Sequence, residues 1–546
     1  MFGAALAISF LLYAVPILGH FSTSFVGQGS ADAKLYVWDL AWWPHAIGAG
    51  LDPFRPTVVW APTGVNMAWV TGLPGPALAA WPLTAAFGAV ATSNLIAIAS
   101  PALATWAAYL LCHEVTRRFW PSVMGGVVFG FSTYQVAEMR GHMNLFLVFP
   151  VPLAAYLLLR YGHGRLSRRW YVILLAGVLI AEFSISTEVF ASMTLFAIIA
   201  AIGAYLAMPS ARPLVRAAAG PTALACAVAG VVLAPYLWYA AAGMPSGPIR
   251  AIGGSSTDLL SFLIPRHGTL VGGSTFAQMT DRFPTNVSED GAYLGPVLIL
   301  VLVVAFVAGR RERVTWWLFA FVALAAVLSM GAVLYVGSQR TIVMPWSALA
   351  RLPILKDALP DRFTMYVWLG VSLIVARWLS RPRPPDRAFR STVRWGSVGL
   401  GVLLLIPNVQ EAGLHRSIDV PRFFSAGLYR QVLTPNETIL IVHDRRNRGA
   451  EMVLQELSGF AFSMPQGHTG PEPAAFAADP LWQGVQEGRL SGTTPDRFRL
   501  WLQQHQVSAI VVMSGSIRTW SPFLDAVTGG HPQRIGGILL YRTVGT

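Results

Sequence analysis

Long apolar runs alternate with short polar connections along most of the chain. Runs near 4–24, 94–113, 121–137, 144–160, 170–189, 191–208, 217–239, 292–309, 315–336, 364–380 and 393–411 approach the roughly 20 residues that a helix needs to cross a bilayer. The pattern predicts eleven membrane spans in a polytopic α-helical protein. The first run lacks a basic flank and a following small-residue cleavage site, so it is expected to stay as the first span. A further apolar stretch, 72–90, carries Pro74, Pro76 and Pro82 and directly precedes another span, and it reads as a re-entrant or interfacial segment. Beyond Glu411 the pattern changes. Strand-like runs at 438–443, 460–463, 507–513 and 535–541 alternate with helical patterns near 448–457, 480–487, 495–505 and 519–528. This predicts a membrane domain over 1–411 followed by a soluble α/β domain over 412–546. The second domain carries no phosphate-cradling glycine motif.

Composition excludes a soluble protein: of 546 residues, 54% are hydrophobic and 12% are charged, where soluble domains carry about 25% charge. The net charge of +13 comes from arginines in connections between apolar runs, which points to cytoplasmic loops and away from nucleic acid. With eleven spans, the clusters Arg117-Arg118, Arg160 to Arg169, Arg212 to Arg216, Arg310 to Arg313 and Arg377 to Arg394 all fall on one side. The opposite, extracytoplasmic side then holds the loops 25–71, 138–143, 240–291 and 337–363 and everything after about 412, in a multi-pass protein of a bacterial inner or plasma membrane. Cys112 and Cys226 both lie in apolar runs, so neither a disulfide framework nor a thiolate metal site has ligands.

Candidate chemistry concentrates in the outer loops. Within 25–71, the segment 31–45 reads as a juxtamembrane helix with Asp32, Tyr36, Asp39 and Trp43 on one face and Trp38, Trp42 and His45 on another. Tryptophan settles at the membrane–water boundary, so this helix is expected to lie on the membrane. Ser30 or Asp32 has the chemistry of a helix cap. Asp32 equally suits a general base or a metal-binding carboxylate, and Asp39 a second acid or a partner of Lys34 or Arg55. The short loop after the third run brings Glu138, Arg140, His142 and Asn144 together, a set that points to a shared polar space. Glu188, near a span end, calls for a functional or paired role. Arg266, His267, Lys356 and Arg362 are cations of the large outer loops, suited to an anionic head group such as a phosphate, or to local pairing of Lys356 with Asp357 and of Arg362 with Asp361. No His/Cys metal cluster or Ser-His-Asp arrangement is present in the sequence pattern.

An acidic residue just beyond the first span, a Trp-rich helix, 50–54 (GLDPF), 61–66 (APTGVN), and a second polar loop about 100 residues later resemble the GT-C superfamily of membrane glycosyltransferases. Bacterial members of that superfamily are resembled most through 129–134 (FGFSTY) and 141–145 (GHMNL). The resemblance covers about residues 1–410. It implies inverting transfer of a hexosyl or pentosyl group from a polyprenyl-phosphate carrier to a hydroxyl of a glycan, lipid or protein acceptor of the cell envelope. Asp32 maps to the acceptor-activating Asp, with Asp39, Glu138 or Glu188 as second acid or support. Arg362, Arg266, His267 and Lys356 would bind the donor phosphate, and Tyr36, His45, His142 and Asn144 would contact acceptor or sugar. The common Asp-Glu or Asp-Asp pair is replaced by Asp32-Ala33, which leaves a divalent-metal requirement open. Two other classes fit the same pattern: a transporter or flippase for lipid-linked saccharides, and a non-catalytic assembly factor acting through 412–546.

Overall fold

The computed structural model describes residues 1–243, 255–352, 355, 357–382, 388–410, 414–444, 447–470, 472–486 and 492–543. Among these, six helices are long and apolar enough to cross a membrane: α1 (Phe2–His20), α5 (Ala89–Thr116), α8 (Met143–Gly162), α10 (Thr187–Ala207), α11 (Pro209–Val232) and α15 (Pro360–Ser380). The other apolar segments form helices of 9 to 18 residues: α6 (Phe119–Gly130), α9 (Arg168–Ile185), α12 (Ala234–Ala242), α13 (Gly295–Gly309), α14 (Arg313–Ser329) and α16 (Ala388–Leu403).

Several helix ends differ from the apolar pattern because polar caps override it. The run over 121–137 does not continue as one helix: Ser132 takes an extended conformation and its Oγ accepts from Gln135 N–H at 3.3 Å, starting a separate helix α7 (Thr133–Glu138). Ser186 likewise ends α9 and caps α10, its Oγ accepting from Val189 N–H at 3.2 Å. The run over 315–336 stops at Ser329 and turns into the hairpin β2 (Val333–Val336) and β3 (Gln339–Val343). Segment 72–90 forms two short helices, α3 (Pro74–Ala79) and α4 (Trp81–Phe87). At about 1.5 Å per residue neither is long enough to cross a bilayer.

Helix α2 (Ala31–Gly48) begins at Ser30, whose Oγ accepts from Ala33 N–H at 3.1 Å. Ser30 therefore does the capping, and the Asp32 carboxylate is released for other contacts. The aromatic face of α2 is covered by protein: Trp38 and Trp42 are both buried. Trp38 and Trp42 stack 5.2 Å apart, both meet Phe460 edge-on, and Trp38 Nε1–H donates to Gln455 Oε1 at 2.7 Å. These partners belong to and follow helix α17 (Ala450–Leu457), so burial against the C-terminal region outcompetes the interfacial preference of Trp.

Residues after 414 form a four-stranded sheet ordered β5 (Ile439–Val442), β6 (Ala509–Met513), β8 (Ile538–Arg542), β7 (Gln533–Ile535). β5 pairs parallel with β6, and the rest is antiparallel, so 533–542 is a hairpin rather than one strand. Helices α18 (Pro495–Gln504) and α19 (Ile517–Thr528) pack with this sheet, burying Trp501 and Trp520. The strand β4 (His415–Ser417) returns to pair antiparallel with β1 (Ser24–Val26), beside the start of α2. One hydrophobic core runs from α1 and α2 through this sheet. The loop 25–71 and the C-terminal region therefore fold as one packed unit.

Candidate active site

Asp32 sits in the first turn of α2 with its side chain 42% exposed. His468 Nε2 lies 2.9 Å from Asp32 Oδ1, and His142 Nε2 lies 3.6 Å from Oδ2. The second loop reaches α2 because Gly141 lies against the cap: a Cβ there would come within 2.3 Å of Ser30 Oγ. Gln28 N–H donates to Arg140 O at 2.7 Å and adds to the same contact.

Behind His142 the site becomes acidic and buried. His142 Nδ1 is 2.7 Å from Glu138 Oε2 and 3.9 Å from Glu289 Oε1. Arg362 forks Glu289, with Nε to Oε2 at 3.0 Å and Nη2 to Oε1 at 2.5 Å, while its Nη1 meets Glu188 Oε2 at 2.5 Å. Glu138 and Glu289 are 2% and 3% exposed. Burial, and then the Glu289 charge, pushes the Glu138 carboxyl up to about 7, against the pull of His142. Burial alone would lower His142, but the Glu138 hydrogen bond and the charges of Glu138 and Glu289 carry it up to about 9.

This geometry corrects several expectations. Arg362 is engaged by two carboxylates, so it is a structural cation of the acidic cluster and not an open phosphate ligand. Asp32, Glu138, Glu188 and Glu289 gather around Arg362 and His142, an acid-rich set that suits a cation better than a bare phosphate. Arg266 is buried, donating to Thr285 O at 3.1 Å beside Asp290 at 3.6 Å, and His267 pairs with Asp281 at 3.0 Å. Lys356 lies outside the described residues. Asp39 is fully buried and apart from this cluster: it accepts from Leu73 N–H and, at 3.0 Å, from Trp43 Nε1–H, which ties α2 to α3. Its expected partners are elsewhere, Lys34 Nζ donating to Arg448 O at 2.8 Å and Arg55 lying over the Tyr239 ring. Tyr36 O–H donates to Asn144 Oδ1 at 2.6 Å, both buried, so these two join α2 to the second loop. His45 packs on Phe460, 4.5 Å between ring centres.

Two residues of the site were missed. Glu289 precedes Asp290 in a long loop, and an adjacent acid pair just before an apolar run was a usable signal. His468 is 436 residues from Asp32, and no local pattern marks it. Glu138, His142 and Glu289 each offer one ligand atom, all within 4.8 Å of one another. Two carboxylates and an imidazole fit a divalent first-row cation.

Two outcomes are expected. His142 gains proton affinity on folding, so its contribution to stability is complete below the ordinary value of 6.5 and is lost as pH rises through about 9. Glu138, raised from 4.5 to about 7, acts in the same direction over that lower window. The melting temperature of detergent-solubilised protein should therefore fall between pH 6.5 and 9, and His142→Gln should flatten that fall. Mn2+ added at pH 8 should raise the parent's melting temperature and leave the variant's unchanged. Separately, Arg362→Gln should destabilise the fold by about 3–5 kcal/mol, because it strands two acids where one guanidinium held them. A chemical-denaturation curve matching the parent would contradict that reading.

Comparison with curated proteins found no match. Among solved structures, the chain is similar to arabinofuranosyltransferase AftD from Mycobacteria, at TM-score 0.60 and 14% identity over 100% of this chain and 40% of that one. The chain thus spans about two-fifths of the length of AftD. It is also similar to the oligosaccharyltransferase AglB of Archaeoglobus fulgidus in complex with an inhibitory peptide and a dolichol-phosphate, at TM-score 0.50 and 11% identity over 96% and 70% of the two chains. A third likeness is to ArnT of Cupriavidus metallidurans bound to undecaprenyl phosphate, at TM-score 0.51 and 11% identity over 100% and 98%. These are GT-C glycosyltransferases, and the likeness shows that this membrane protein has the GT-C fold. A family model described as a domain of unknown function, DUF6311, matches residues 2–355, and the chain belongs to that family.

Proposed function

We propose that the chain is an inverting glycosyltransferase that moves a sugar from a polyprenyl-phosphate carrier to an acceptor hydroxyl on the extracytoplasmic side. The observation that carries this reading is the placement of Asp32. It is the most exposed of the clustered carboxylates, 42% against 24% for Glu188 and 2–3% for Glu138 and Glu289. It stands at the edge of an acidic, buried cluster inside a GT-C fold, and solved structures of that fold hold undecaprenyl phosphate and dolichol-phosphate.

In the reaction, Asp32 takes the proton of the acceptor hydroxyl as its oxygen attacks the anomeric carbon. The bond from that carbon to the carrier phosphate breaks, and its electron pair leaves with the phosphate. A single displacement with one base inverts the anomeric centre. His142, tied to Glu138 through Nδ1, presents Nε2 towards Asp32 and balances its charge before transfer. Once His142 has lost its Nδ1 proton, Glu138, His142 and Glu289 would instead hold a divalent cation, which would supply Lewis-acid stabilisation of the leaving phosphate.

The Asp32→Asn variant tests the base. Ser30 caps α2, so folding should be unaffected. Transfer from a panel of polyprenyl-phosphate pentoses and hexoses, in membranes with matched amounts of folded protein, should drop by about 10²-fold or more. Near-parental turnover would falsify the assignment and favour a transport or assembly role.

We also place 25–71 and the region after 412 outside the cytoplasm, from the one-sided arginine clusters. A cysteine introduced at position 500 should label from outside intact cells, and one at 166 should not. The reverse pattern overturns the topology.

A further inference from the structure

We propose that His468 is a positioning residue of the active site, and that the C-terminal region thereby completes the catalytic centre. The inference rests on the glycosyltransferase reading of Asp32. One Asp32 oxygen, Oδ1, meets His468 Nε2 at 2.9 Å, while Oδ2 faces His142.

A partly exposed His–Asp pair by itself means little, since such contacts contribute about 0–1 kcal/mol. Here the segment that delivers the imidazole is fastened from both sides. Gln466 clasps the main chain of β5, its Oε1 accepting from Ile441 N–H at 2.6 Å and its Nε2–H donating to Ile441 O at 2.5 Å. The first outer loop grips the same segment: Trp60 N–H donates to Gln466 O at 3.1 Å, Ala61 N–H to Met464 O at 3.0 Å, and Trp60 Nε1–H to Thr469 Oγ1 at 2.8 Å. Gly467 permits this approach, because a Cβ there would stand 2.4 Å from Trp60 Nε1.

His468 is thus held between a sheet strand and a buried indole, two rigid supports, and only its ring edge reaches the base. An aspartate at the first turn of a helix and 42% exposed would otherwise sample several rotamers. Holding Oδ1 fixes the carboxylate and turns Oδ2 into the oxygen that receives the acceptor proton. This pre-organisation lowers the ordering cost within the reaction step. It acts through Asp32 and needs no contact with the donor.

The test is a double-mutant cycle on full-length protein in membranes, using the same panel of polyprenyl-phosphate pentoses and hexoses and normalising to folded protein. His468→Ala should lower kcat by up to about 10²-fold, the cost of a misplaced reacting group, with donor KM unchanged. His468→Gln, which keeps an N–H donor at similar reach, should recover most of the loss. In an Asp32→Asn background, His468→Ala should cost nothing further. If His468→Ala fails to accumulate folded, His468→Asn, whose amide is too short to reach Oδ1, takes its place in the cycle. Parental kcat in that variant while Asp32→Asn is inactive overturns the role of His468 and leaves the proposed function standing. Additive losses in the double variant also overturn it, since they mark a purely structural histidine. Near-parental activity of Asp32→Asn removes the proposed function itself, and this inference with it.

Discussion

A guanidinium buried among carboxylates is the constraint on which the site and the loops around it depend. Arg362 stands at the start of α15, Glu188 in the first turn of α10, and Glu289 in the long loop that precedes α13. Removing these charges from water costs several kcal/mol per ion, so the arrangement persists only while all three segments are together. The same loop is held from behind by Arg140, whose Nη1–H donates to Val287 O at 2.5 Å, and by Arg266 on Thr285. Glu289 is therefore brought beside His142 and Glu138 by a network whose stability is local but whose members are distant in sequence. The net effect is to fix three ligand atoms within reach of one another in the space beneath Asp32.

The second constraint is apolar. Trp38 and Trp42 leave no exposed aromatic face on α2, and Gln455 links that face to the C-terminal region by accepting from Trp38 and donating to Val58 O and Phe462 O, at 2.8 and 2.9 Å. A fully buried Gln with these three bonds has little tolerance for displacement, since each lost bond leaves a polar group without water. The packing thus gives the start of α2 a defined position relative to the residues that follow 460. Through Gln466 and Trp60, the same packing reaches His468. Core and site are parts of one structure here, and the C-terminal region cannot be treated as an appended module.

How much of this was legible follows from the range of each interaction. Apolar runs mark helices because burial in lipid or protein is set by neighbours three and four residues away. Their ends are less visible: Ser132 and Ser186 sit inside apolar pattern, and a single hydroxyl acting on an amide three residues on decides where one helix stops and another starts. Asp32, Glu138, His142 and Glu188 stood out because acids and imidazoles are costly near a span end. Their partners did not, since nothing near Arg362 in the sequence says that Glu289, 73 residues away, will accept its fork, or that His468 will reach Asp32. The Trp face was misassigned for a related reason. Amphipathic chemistry shows that a face must be covered, and the membrane surface and a protein core both satisfy it.

Burial divides the labour among the acids. A carboxylate at 2–3% exposure with a like charge nearby holds its proton more firmly, as Glu138 does beside the His142 imidazole. Asp32 is placed oppositely, at the rim, with its side chain 42% exposed. Its surroundings come from three separate parts of the chain: the Ser30 cap, the loop 138–143 through His142, and the C-terminal region through His468. An exposed carboxylate is ordinarily a mobile group. Here the contacts come from outside the helix that carries it, so one side chain is partly exposed and held at both oxygens at once.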